Sequence, residues 1–159
     1  MNYFELFEIP VSLITDKALL SKKYFELQKK YHPDFFTKDG EDDQAAALEM
    51  SSAVNKAYKI LQQPEATLKY LLQFKGMLEE EEKYQLPPDF LMAVMELNEN
   101  MDENASERVQ QFENEIYAGV KSIIENYNDN RITEKELLQL KEYYFKKKYL
   151  QRILERMDG

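Results

Sequence analysis

The chain has 159 residues, enough for one ordinary domain or two small ones, and 43% hydrophobic with 32% charged residues lets it bury a core in water. A net charge of −9, from 30 acidic and 21 basic residues, argues against nucleic acid as a partner, because phosphate binding draws its affinity from Lys and Arg. Cysteine is absent, which excludes disulfides, a thiol nucleophile and Cys ligation of zinc or a cluster within this sequence, and suits a reducing compartment.

Helical periodicity runs through nearly all of the sequence, and Leu, Glu, Lys, Ala and Gln are side chains that lose little freedom on a helix. The expected fold class is therefore all-α. A short helix is expected over Asn2 to Phe7, stopped by Ile9-Pro10. Thr15 or Asp16 can cap a second helix that runs to about Tyr31, where His32-Pro33-Asp34 breaks it. The polar stretch from Thr37 to Asp43 reads as an exposed loop, followed by a third helix to about Leu61. Pro64 suits the first turn of a fourth, ending near Phe74-Lys75-Gly76.

Glu79-Glu80-Glu81-Glu82 is a like-charge run expected to bury nothing, and with Pro87-Pro88 it makes the best boundary in the chain. The expected organisation is residues 1–75, a linker over 76–86, and a second domain over 87–159. Three helices are expected there, roughly Asp89 to Met101, Ser106 to Tyr127 and Thr133 to Met157, forming an antiparallel three-helix bundle. Thr133 and Glu136 stand at the spacing of a capping box.

At about 100° per residue, Leu20, Tyr24, Leu27 and Tyr31 share a sector of roughly 60° and should face the core, while Lys22, Lys23, Lys29 and Lys30 gather about 130° away. An acidic chain thus places four Lys on one face of one helix, beside a His-Pro-Asp turn; a merely solvated lysine face is the plainer alternative. His32 is the sole histidine and has no second ligand for a metal at a recognisable spacing. Pro33 holds His32 out of helical geometry, which leaves Asp34 as a preorganised acceptor for a partner's arginine.

Lys29-Lys30-Tyr31-His32-Pro33-Asp34, followed by Asn55-Lys56-Ala57-Tyr58-Lys59-Ile60-Leu61, resembles a J-domain. Beyond it, Met1 to Phe7, Leu68-Lys69-Tyr70-Leu71-Leu72 and Phe90-Leu91-Met92 are similar to the corresponding stretches of the HscB-type J-domain co-chaperones, with the likeness weakest after Asn104. The resemblance implies an N-terminal J-domain helical hairpin, with His32, Pro33 and Asp34 activating a DnaK-class chaperone (HscA) and Lys22, Lys23, Lys29 and Lys30 docking on its acidic surface. Where many J-domains carry Lys directly after the tripeptide, this chain has Phe35-Phe36.

On the helix from Asp89, the residues Phe90, Val94, Leu97 and Met101 share one face, while Leu91, Met92 and Met95 lie on another with Glu96 and Glu99. One small helix rarely needs two apolar faces, so the second is either a partner site or, more plainly, a second core face. The resemblance implies that Leu91, Met92, Met95, Glu96, Glu99, Glu103 and Tyr149 hold the iron–sulfur scaffold IscU. Asn98 and Asn100 depart from the more charged family pattern, and Leu138, Phe145 and Tyr149 make a further stripe on the last helix. The function so implied is a co-chaperone that delivers IscU to HscA and stimulates its ATPase in iron–sulfur cluster assembly.

A J-protein serving another client and a purely structural helical adaptor are the alternatives. One His, no Cys, no Gly-rich phosphate loop and no convincing carboxylate pair speak against an enzyme, and no cofactor or metal is expected. No apolar stretch reaches the roughly 20 residues of a membrane span, and Met1 to Glu5 carries no secretory signal, so the expected location is cytoplasmic and away from membranes.

Overall fold

The computed structural model describes residues 1–36, 40–100 and 102–158, the side chains of Phe35, Phe36, Met157 and Asp158 excepted. Its described residues form helices and turns, in two compact units, Met1–Phe74 and Lys75–Gly159. The architecture is all-α, as the periodicity predicts.

The first unit holds α1 (Tyr3–Leu6), α2 (Lys17–Tyr31), α3 (Glu41–Leu61) and α4 (Pro64–Phe74), with a 3-10 turn over Pro33–Phe36 between α2 and α3. Local chemistry sets each start. The Asn2 side chain accepts the Glu5 N–H at 2.8 Å, and Asp16 accepts from Ala18 and Leu19, so Asp16 rather than Thr15 is the cap of α2. Thr15 donates its hydroxyl instead to the Leu61 carbonyl at 2.8 Å, fastening the start of α2 to the end of α3. The expected loop is shorter than its polarity suggested. Glu41, Asp42 and Asp43 form the first turn of α3, where carboxylates favour the positive end of the helix dipole, and Gly40 supplies the positive φ of 98° just before it. Residues 37–39 of that stretch lie outside the described residues.

α2 and α3 pack as an antiparallel hairpin around Phe4, Phe7, Leu20, Val54, Ala57 and Leu61, all buried, with Tyr24, Leu27 and Tyr31 packed against them. The predicted core face of α2 is therefore the face that meets the core. Tyr24 stacks on Tyr58 with ring centroids 4.1 Å apart. Beside that stack the Asn55 side-chain oxygen accepts the Tyr24 hydroxyl at 2.7 Å and the Gln28 amide at 2.8 Å, while Ser51 donates to Gln28 at 3.1 Å. Since Asn55 serves two donors from α2, Asn55→Ala is expected to lower stability by about 1–2 kcal/mol, read as a reduced urea midpoint. An unchanged midpoint would show that water replaces both bonds at no cost.

The second unit holds α5 (Pro88–Glu99), α6 (Ala105–Ala118), α7 (Lys121–Glu125) and α8 (Glu134–Asp158). Thr133 and Glu136 exchange the two bonds of a capping box, each at 3.1 Å, at the start of α8. The single helix expected from Ser106 to Tyr127 is broken: Val120, at φ −124° and ψ 0°, leaves helical geometry after Gly119. Gly119 weakens the helix there, and turning the chain lets the β-branched Val120 bury its side chain. Phe90, Val94 and Leu150 form one buried cluster, with Leu86, Leu97, Phe112, Ile116, Tyr149, Ile153 and Leu154 packed on it.

The segment expected as a linker is held to α8. Tyr84 stacks on Phe145 with centroids 4.5 Å apart, and Glu82 pairs with Lys141 at 2.7 Å. Lys75 likewise pairs with Asp129, at 2.5 Å, so the residue expected to end the first domain is tied into the second unit. The acidic run is thus not wholly solvated: the Glu82 side chain is only 18% exposed. The hydrogen bond from Lys141 chiefly lowers the Glu82 pKa below its ordinary 4.5, burial opposing it. A carboxylate whose folded pKa is lowered adds stability above its unfolded pKa and loses it as pH falls through the folded one. Glu82→Gln should therefore cost about 1 kcal/mol at pH 7, and the gap from the parent chain should close on acidification below about pH 4.5, followed by urea unfolding across pH.

Candidate functional site

The first site grows from the end of α2. The His32 N–H still bonds to the Gln28 carbonyl at 2.9 Å, yet His32 itself is extended, at φ −61° and ψ 129°, as a residue before proline must be. The helix therefore stops at Tyr31 and Pro33 opens the 3-10 turn. Gln28 is clamped from α3 through Asn55 and Ser51, so the hairpin partner braces the last turn from which His32 hangs.

The His32 ring is half exposed and the Asp34 side chain is 86% exposed. His32 Nδ1 accepts the Asp34 N–H at 3.3 Å. The Asp34 carboxylate lies 3.6 Å from the same nitrogen. The turn presents a carboxylate and an imidazole outward, on a backbone fixed by Pro33.

Lys22, Lys29 and Lys30 are exposed on α2, and Lys30 lies 5.2 Å from the centre of the Tyr31 ring. Lys23 differs from these. It is part-buried and engaged with Glu8 at 3.6 Å and Glu26 at 4.0 Å, so the four lysines expected to act alike divide into three outward cations and one that faces two carboxylates of this chain. The side chains of Phe35 and Phe36, where the family's lysine is replaced, lie outside the described residues.

The second site is the outer side of α5. Phe90 and Val94 bury themselves against Leu150, with Leu97 packed on the same cluster. The fourth member expected on that face, Met101, lies outside the described residues. On the other side, Met92 is 62% exposed and Met95 57% exposed, so the second stripe is not a second core face at those positions. Leu91, expected to share their exposure, is partly buried against the Phe90 cluster: its place between the two stripes draws it inward. Glu96 and Glu99 are exposed beside the methionines. Glu103 is exposed too, but past the end of α5, in the turn before α6.

Arg108, which sequence reasoning missed, organises that turn. Its guanidinium donates to the Asn100 carbonyl and pairs with Asp102 at 2.9 Å. The Asn104 N–H and then the Arg108 guanidinium hold the Asp102 carboxyl below its usual range. Asn100 closes the helix by donating its side-chain amide to the Glu96 carbonyl at 3.0 Å, which a carboxylate there could not do. Arg108 stands six residues from Asp102, a spacing that signals nothing until the turn between them is known.

Tyr149 on α8 meets Phe90 edge-on, with centroids 6.1 Å apart, and is partly buried. Of the stripe expected with it, Leu138 is exposed, whereas Phe145 is spent on Tyr84. Among the described residues, no helix is long and apolar enough to cross a membrane.

Two family models divide the chain. The DnaJ domain matches residues 2–70, and the HSCB C-terminal oligomerisation domain matches residues 86–158. A co-chaperone protein HscB homolog of Vibrio vulnificus is 39% identical over 104 residues, 65% of this chain and 61% of the relative's own length. The match thus spans about three fifths of such Vibrio relatives. A homolog from Pseudoalteromonas atlantica is 35% identical over 130 residues, covering 78% of this chain and 74% of its own. Among solved structures, human co-chaperone protein HscB superposes with a TM-score of 0.77 at 29% identity, over 99% of this chain and 81% of that one. Chaperone HscB from Vibrio cholerae superposes with a TM-score of 0.63 at 28% identity, over 99% and 98%. With a J-domain turn at the end of α2, an HscB-type C-terminal unit and relatives of that name matched across both, the chain belongs to the HscB-type J-domain co-chaperone family.

Proposed function

We propose that this chain is a two-site adaptor without chemistry of its own: the second unit captures an IscU-type iron–sulfur scaffold, and the first docks on an HscA-type DnaK-class chaperone and stimulates its ATP hydrolysis. The observation that carries the reading is the pairing, in one chain, of an exposed His32–Asp34 turn with an exposed Met92–Met95 surface rimmed by Glu96 and Glu99. Met is flexible and polarisable and moulds to a partner's surface. The acidic rim would select a scaffold that presents basic residues around an apolar patch. At the other site Lys22, Lys29 and Lys30 complement an acidic chaperone surface, and Asp34 offers a charge-assisted acceptor to an arginine.

Joining two modest contacts in one chain raises the local concentration of scaffold at the chaperone, so neither need be tight. Such an adaptor would work in the cytoplasm, where a chain without Cys has nothing to lose to reduction. The test is steady-state ATP hydrolysis by an HscA-type chaperone with IscU, with and without this protein. Strong stimulation that needs both proteins supports the adaptor. Stimulation indifferent to IscU keeps the chaperone contact and removes the client, and no stimulation removes the chaperone contact.

A further inference from the structure

The outward side of α2 is not purely cationic. Phe25 stands there 63% exposed, well outside the sector of Leu20, Tyr24, Leu27 and Tyr31 that meets the core. It lies three residues after Lys22 and four before Lys29, both exposed, so two lysines are its neighbours on the helix surface. Glu26, the one carboxylate beside them on α2, pairs with Lys23, which is itself drawn towards Glu8. The Phe25 and Tyr24 rings meet in a T-shaped pair with centroids 5.9 Å apart, and Tyr24 is fixed in turn by its stack on Tyr58 and its bond to Asn55. A largely exposed aromatic ring is thus held beside a braced neighbour. Folding gains little from it, because most of its surface stays wet.

We infer that Phe25 is the apolar anchor of the chaperone-docking face, and that the chaperone surface it meets is an apolar depression flanked by carboxylates. This rests on the docking reading above, and extends it from charge alone to a mixed contact. Lysines draw an acidic surface in but discriminate weakly among acidic proteins, since exposed ion pairs contribute little and are screened by salt. A ring beside them adds a contact that salt does not weaken and that requires a matching hollow, which confers selectivity among chaperones of similar charge.

The experiment is a titration of HscA-type chaperone ATPase, in the presence of IscU, with the parent chain and with Phe25→Gln, Phe25→Leu, Lys22→Gln and His32→Gln variants at low and high salt. Phe25→Gln is expected to raise the half-maximal concentration about tenfold at both salts with the plateau rate kept, and Phe25→Leu to recover most of the loss. Lys22→Gln should shift the midpoint at low salt and little at high salt. Midpoints equal for the parent and Phe25→Gln, with His32→Gln inactive, would overturn the anchor and leave the docking reading standing. A lowered plateau without a shift in midpoint would also overturn it, because an anchor acts on encounter and not on activation. Absence of stimulation by the parent chain would remove the docking reading and the anchor together.

Discussion

A His32→Gln chain is expected to fold normally, bind IscU with unchanged affinity, and fail to stimulate an HscA-type ATPase. The backbone gives no reason for misfolding: His32 is extended at φ −61° and ψ 129°, a conformation any residue can hold, and its N–H bond to the Gln28 carbonyl needs no side chain. What changes is the surface offered. The imidazole is a rigid ring whose Nδ1 takes the Asp34 N–H, so it braces the backbone that carries the Asp34 carboxylate. A glutamine amide has an additional rotatable bond and cannot offer the same nitrogen with the same edge. Asp34 is 86% exposed, and a charge-assisted bond from a partner's arginine depends on its orientation. Stimulation should fall by at least a hundredfold, read as a plateau indistinguishable from the chaperone's basal rate at saturating protein, since losing an organised charge contact costs several kcal/mol. Asp34→Asn, which keeps shape and removes charge, should lose at least tenfold. If His32→Gln also loses IscU, the two sites are not independent and the adaptor reading fails.

Much of this site could be read in the sequence because its signals are local. Pro33 after His32 dictates where α2 stops, and the placement of Leu20, Tyr24, Leu27 and Tyr31 dictates which side of α2 is core. The same reasoning found Phe90 and Val94 on the inner side of α5 and Met92 and Met95 on the outer. It failed where the deciding contact comes from a distant part of the chain. Lys23 counted as one of four equal cations until Glu8, beyond the α1 turn, was seen to reach it. Glu82 belonged to a run of identical charges, and nothing local marks it as the one that Lys141 takes. Val120 fits a helical pattern as well as its neighbours do, and the burial that turns it aside is a tertiary effect. Leu91 sits on the border between two stripes, where helical spacing alone assigns a side chain to neither.

That border decides how the proposed scaffold site should be tested. Leu91 packs against the cluster of Phe90, Val94 and Leu150, so truncating it would loosen the second unit as well as alter its surface. Met92 and Met95 carry no such confusion, being 62% and 57% exposed. Glutamine matches methionine in length, branching and helix propensity, so the double change Met92→Gln with Met95→Gln should leave the urea midpoint within about 0.5 kcal/mol of the parent. The same change puts two polar amides where a partner's apolar surface would have to desolvate them. IscU affinity is then expected to fall about thirty- to a hundredfold by titration calorimetry, the weight of one or two interface hot spots. The acidic rim supplies an independent signature: neutralising Glu96 and Glu99 to Gln should slow association and flatten its salt dependence, while the methionine change leaves that dependence alone and speeds dissociation. A methionine double variant that binds IscU like the parent would place the client elsewhere on the second unit, because no reorganisation of the fold is available to hide the loss of two side chains that touch so little of it.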